Sequence, residues 1–129
     1  MNRYYLSPII GSGTEADPYR PQVADYVKDW WGTFQSDANG HPAQPWCLVL
    51  VNAEDHSKLL ADDNFDPLPN LPMHMPLTLA SAQSRSRVEA AAARRGIDLS
   101  RVETMAEMVS AAGRSLDPTF RIPRALLVN

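Results

Sequence analysis

Asp55, His56, Asp62 and Asp66 are the ionisable residues whose types and spacing come nearest to chemistry. His56 beside Asp55 is the pairing that a general base and its orienting carboxylate would use. No nucleophile stands near them in a fitting pattern. Ser57 follows His56 directly, but triads are assembled in space and have no adjacency rule. Asp62-x-Asn64-x-Asp66 matches the start of a calcium loop. Its sixth position is Pro67, where the sharp turn requires Gly, and its twelfth is Met73, where a bidentate Glu belongs. The motif reads as an acidic turn that ends a helix, and a weak cation contact by Asp62, Asn64 and Asp66 stays open.

The remaining reactive types are scattered. His41, His56 and His74 show neither the i, i+4 pairing nor the Cys/His spacing of a zinc site, and they read as surface histidines. Gly11-x-Gly13 has no third glycine at dinucleotide spacing and no Gly-Lys-Ser/Thr ending, so it reads as a turn. Cys47 is the single cysteine, which excludes an internal disulfide and fits a reducing compartment. Inside Trp46-Cys47-Leu48-Val49-Leu50-Val51 it reads as a small core residue. No catalytic residue, cofactor, metal or small-molecule substrate is therefore expected.

At 129 residues, with 44% hydrophobic and 21% charged residues, the chain has the size and composition of one globular domain with a real core. No apolar run reaches the roughly 20 residues that cross a bilayer. The first residues lack the basic start and apolar stretch of an export signal. Charge divides the chain in two. Residues 1–75 carry ten acids against four Lys or Arg; residues 76–129 carry five acids against eight Arg. The plain reading is a solvated helix face. The sharper one is that one copy's basic helices meet a neighbour's acidic loops, or an acidic partner, since opposed patches set encounter and register.

Nine of the eleven prolines lie before residue 77 and cut the first part into short extended pieces. Tyr4–Ile10 reads as a strand, placed at an edge because Pro8 cannot donate to a ladder. Gly11-Ser12-Gly13 is a turn, and Asp17-Pro18 with Arg20-Pro21 keeps the next stretch extended, as a proline-rich arm. Trp30–Gln35 and Trp46–Val51 read as paired strands, with Asn39-Gly40 in the turn between them. Residues 52–61 hold a short helix, and Phe65–Pro69 a return strand. Leu77–Arg95 reads as a helix closed by Gly96. Ser100-Arg101-Val102-Glu103 is a capping box for a second helix, whose apolar face is Val102, Met105, Val109, Ala112 and Leu116. Leu126-Leu127-Val128 is a last strand or a docking tail.

The expected fold is α+β: a small, mostly antiparallel sheet covered on one face by a C-terminal helical hairpin, with an extended N-terminal arm. The whole chain is one domain, made of a strand and arm (1–22), a strand and loop half (23–76) and a helical half (77–129).

Eight of the ten aromatics fall between residues 4 and 46. Trp30 and Trp31, adjacent in a strand, face opposite sides. One enters the core. The other is covered by loops or meets a partner, where Trp and Tyr are favoured. Tyr4, Tyr5, Tyr19, Arg20, Trp30, Trp31, Arg87, Arg94 and Arg95 are the candidate interface residues. The aromatics could also stack nucleic-acid bases, but their acidic surroundings repel a phosphate backbone.

The run from Tyr4 to Pro21 (YYLSPIIGSGTEADPYRP) resembles the opening of small proteins encoded in tailed-phage and prophage gene clusters. Ala53–Asp62 (AEDHSKLLAD), followed by Asp66-Pro67-Leu68-Pro69, has the same character, and together the segments cover about a quarter of the chain. The resemblance implies a non-enzymatic virion component assembled in the host cytoplasm: a capsid decoration, neck or tail accessory protein. Its partners would be copies of itself and other virion proteins, with no membrane and no nucleic acid. The rival reading is a small cytoplasmic adaptor or inhibitor that binds a host or phage protein. An enzyme would have to use His56, Asp55, Asp62 and Asp66.

Overall fold

The computed structural model describes residues 1–34, 37–62, 65–113 and 121–122. It is an α+β fold built on a curled antiparallel sheet with a few helices. The strands are β1 (Asn2–Ile10), β2 (Arg20–Pro21), β3 (Trp30–Thr33), β4 (Trp46–Asn52), β5 (Asp66–Pro67) and β6 (Arg121–Ile122). The helices are α1 (Ser57–Leu60), α2 (Ala82–Arg95) and α3 (Met105–Gly113). The sheet order is β2-β1-β4-β3-β6, and β5 also pairs with β1.

β1 is a central strand and not the edge that Pro8 suggested. It pairs with β4 from Asn2↔Asn52 to Pro8↔Trp46. On its other side β5 pairs at Tyr5 and Leu6, and β2 pairs at Ile9 and Ile10. Pro8 falls in the gap between these two short strands. No ladder there requires its missing N–H, while its carbonyl accepts from the Gln22 amide at 2.9 Å.

The proline-rich stretch also differs from an extended arm. The Ser12 and Gly13 amides both donate to the Asp17 carbonyl, and Arg20–Pro21 pairs back onto Ile9–Ile10. Two prolines keep the segment from building a long strand, but two residues suffice to close a hairpin. The same return curls the sheet. A Cβ on Gly32 of β3 would lie 3.4 Å from the Pro21 ring, although β1 and β4 stand between these strands in the hydrogen-bonded order. The Tyr19 ring likewise meets the edge of Phe34, 6.2 Å between centroids.

Both faces of the sheet are covered. One buries Leu6, Trp46 and Leu48 beneath Val88 of α2 and Met105, Met108, Val109 and Ala112 of α3. The other buries Tyr5, Cys47, Val49, Val51 and Trp30 against Val27, Leu59 of α1 and Phe65. The unbroken apolar run of β4 is the sequence signature of this two-sided burial. Each fully buried Leu or Val contributes about 1.5–3 kcal/mol over the same side chain left in water.

The helical half differs in two details. Leu77–Leu79 form a separate 3-10 turn, and α2 starts only at Ala82, where the Ser81 hydroxyl accepts from the Ser84 amide at 3.1 Å. Gly96 closes α2 in the left-handed conformation, as expected. The cap of α3 is Thr104 and not Ser100. Thr104 Oγ1 accepts from the Glu107 amide and donates to the Glu107 carboxylate, an N-cap four residues beyond the expected one. Asp98 instead caps the 3-10 turn Leu99–Arg101. In place of a helical hairpin, α2 packs chiefly on β5 and α3 on β4. Leu116 and Leu126–Val128 lie outside the described residues. β6, which extends the sheet beyond β3, had no expectation attached to it.

Candidate functional site

Register across β1, β4 and β3 sorts the helix-side face into rows. Leu6, Leu48 and Thr33 lie side by side and are fully buried. The next row outward is Tyr4, Leu50 and Trp31. All three are half-buried. Directly opposed residues on antiparallel strands share a face, so they form one apolar shelf. It runs into a hollow of about 250 Å³ whose far wall includes Leu71, Met73 and Met105. Met73 is exposed. Among the described residues the Tyr4 hydroxyl has no hydrogen-bond partner, and burial raises its pKa. The shelf joins two candidate interface residues, Tyr4 and Trp31, through Leu50. Leu50 was not singled out, although period-two alternation along Trp46–Val51 places it on the same face as Trp46 and Leu48.

The other candidates serve the fold. Tyr5 is fully buried, and its hydroxyl lies 2.8 Å from His56 Nδ1. Burial pushes the Tyr5 phenol up to about 12, so it stays protonated. His56 Nε2 lies 2.9 Å from the Met1 carbonyl. That oxygen only accepts, so Nε2 carries a proton, and in the neutral ring Nδ1 accepts from Tyr5. His56 is thus a buried structural residue, not the surface histidine expected. Trp30 is buried beside Val51, and its neighbour Trp31 faces the shelf. Tyr19 meets His41 Nδ1 at 2.8 Å, and Arg20 holds Asp17 at 2.6 Å inside the 11–19 loop.

Three of the four arginines of α2 bond back onto the fold. Arg94 Nη2 lies 2.6 Å from Asp66 Oδ1 and Arg95 Nη2 lies 2.7 Å from Asp66 Oδ2, while Arg87 donates to the Leu60 carbonyl at 3.2 Å. Burial raises the Asp66 carboxyl, but hydrogen bonds from Arg94 and Arg95 outweigh it and hold the group below its ordinary value. The opposed charges of the two chain halves therefore meet within one molecule at this point. A carboxylate claimed by two guanidinium groups is a poor cation ligand, and Asn64 lies outside the described residues.

Among the described residues, no three His, Cys, Asp or Glu side chains are placed to hold one metal ion. Cys47 is buried, which pushes its thiol up. No helix among those residues is long and apolar enough to cross a membrane. Site and fold define an α+β domain with a partly exposed aromatic shelf on a curled sheet. Comparison with protein-family models, curated proteins and solved structures finds no match.

Proposed function

We propose that this chain is a non-enzymatic structural component of a phage particle, a capsid decoration, neck or tail accessory protein. It acts through contacts with copies of itself and other virion proteins, after assembly in the host cytoplasm. The observation that carries the contact role is the Tyr4–Leu50–Trp31 shelf: two aromatics of the types favoured at interface centres, only partly buried beside the fully buried row of Leu6, Leu48 and Thr33. The particle assignment rests on the resemblance of residues 4–21 and 53–69 to phage-encoded proteins. The ionisable groups support a contact role, because Asp66, Arg94, Arg95, His56 and Tyr5 are spent on internal bonds. The exposed stretch of residues 11–16, tied back at Asp17, offers a second contact.

Deleting residues 4–21 is not a useful test, because it removes a central strand. Trp31→Ala and Leu50→Gln leave that strand intact. The wild-type chain should self-associate in sedimentation or be found in purified particles by mass spectrometry, and both variants should lose the association while keeping the wild-type circular dichroism. A chain that stays monomeric, is missing from particles and forms a soluble 1:1 complex in the cytoplasm would establish the adaptor reading instead.

A further inference from the structure

We propose that a second groove, between the 44–46 segment and α3, binds an extended peptide that carries a branched apolar side chain next to a basic residue. The groove holds about 620 Å³, within the range of roughly 300–1,000 Å³ typical of ligand sites. Its floor is apolar and comes from Trp46, Ile97, Val102 and Ala106. Ile97 and Val102 are only partly covered by the core they pack against. A Leu or Ile side chain laid there would finish burying them.

Two polar side chains flank that floor. Gln44 and Ser110 are both half-buried, and among the described residues neither has a hydrogen-bond partner. An amide that can donate and accept is suited to reading a peptide backbone. The rim sets the sign of the partner. Asp98, Glu107 and Arg101 are its charged lining residues, which leaves one negative charge in excess. Arg101 lies 3.9 Å from Asp98. Glu107 uses one oxygen on Thr104 and sits exposed at the groove mouth. A basic residue beside the apolar anchor meets that carboxylate. This site is separate from the Tyr4–Leu50–Trp31 shelf and does not depend on the particle assignment.

The test uses two blocked tripeptides, Leu-Leu-Arg and Leu-Leu-Glu, titrated into the full chain and followed by the amide resonances of residues 44, 97, 102 and 110. The expected result is saturable shifts at these positions, with the Arg peptide favoured by about fivefold, the scale of one exposed charge pair. Glu107→Gln keeps an acceptor for the Thr104 hydroxyl and should bring the two peptides to equal affinity. Ala106→Trp fills the floor and should abolish binding of both. Shifts that do not saturate, equal affinities on the wild-type chain, or unchanged binding to Ala106→Trp would overturn the proposal.

Discussion

Arg95 Nη2 sits 2.7 Å from Asp66 Oδ2, and each side chain keeps only 13% and 12% of its surface in water. Arg94, from the same helix end, takes the other carboxylate oxygen but stays 57% exposed. The last turn of α2 is thereby fixed to β5 and, through β5, to the centre of β1. Breaking a buried pair on one side leaves the other charge uncompensated. Asp66→Asn is expected to cost about 3 kcal/mol at neutral pH in urea unfolding.

The same pair gives a pH dependence of definite sign. Asp66 titrates lower in the folded chain than in the unfolded one. Its contribution is then present above the unfolded Asp value of about 3.9 and is lost as pH falls through the lower folded value. Asp17, Asp55 and Asp98 are lowered as well, by hydrogen bonds from Arg20 and Ser12, from Ser57 and from Ser100. Both proteins keep those three groups, so the difference between wild type and Asp66→Asn isolates Asp66. The gap in urea midpoint should narrow as the pH is taken from 5 towards 2, about one unit above and two below the unfolded value. A constant gap would show that Asp66 is not held as a paired carboxylate.

Tyr5 and His56 should be strongly coupled. Tyr5→Phe leaves the buried Nδ1 of His56 without its donor, at a cost of about 2 kcal/mol. His56→Ala removes both of the ring's bonds and should cost more. In a double-mutant cycle the two effects should fall short of additive by about 1 kcal/mol or more. Strict additivity would mean that the hydroxyl and the ring do not meet.

Glycine is required at the start of the hairpin loop but only convenient in the β3–β4 connection. Gly11 has φ of 109°, and a Cβ there would lie 2.1 Å from the Pro18 carbonyl oxygen. Gly40 has φ of 81° with nothing within 4 Å of such a Cβ. Gly40→Ala should cost about 1 kcal/mol, the penalty of positive φ alone, and Gly11→Ala clearly more. Equal costs in thermal unfolding would remove the hairpin closure drawn between Gly11 and Pro18.

The two candidate caps of α3 separate cleanly by mutation. Thr104→Ala should lose about 1 kcal/mol, and Ser100→Ala much less, because Ser100 only closes a 3-10 turn with Asp98. The reverse order would restore the capping box read at Ser100.

Much of the fold was legible because the relevant physics is local. The unbroken apolar run of Trp46–Val51 announced a strand, Asn39-Gly40 announced a turn, and Gly96 announced the end of α2. The readings that failed involved groups whose role depends on distant partners. Pro8 placed β1 at an edge because its missing N–H is visible in sequence, whereas the gap between β2 and β5 that excuses it is not. Thr104 carried the same capping signal as Ser100, and only the packing of Met105, Met108 and Val109 selected it. His56 looked like a surface residue because neither Tyr5 nor the Met1 carbonyl is near it in sequence.

The chain's own order of residues determined the class, an α+β domain with one aromatic-rich sheet, because hydrophobic periodicity and turn chemistry act over a few residues. Tertiary structure alone decided which aromatics face water. Tyr4 and Tyr5, like Trp30 and Trp31, alternate by the pleat, and alternation does not say which face the helices reach. Strand register set Tyr4, Leu50 and Trp31 in one row, and the helices pack on Leu6, Trp46 and Leu48, which left that row as the shelf. These are long-range choices, set by how several elements share one core.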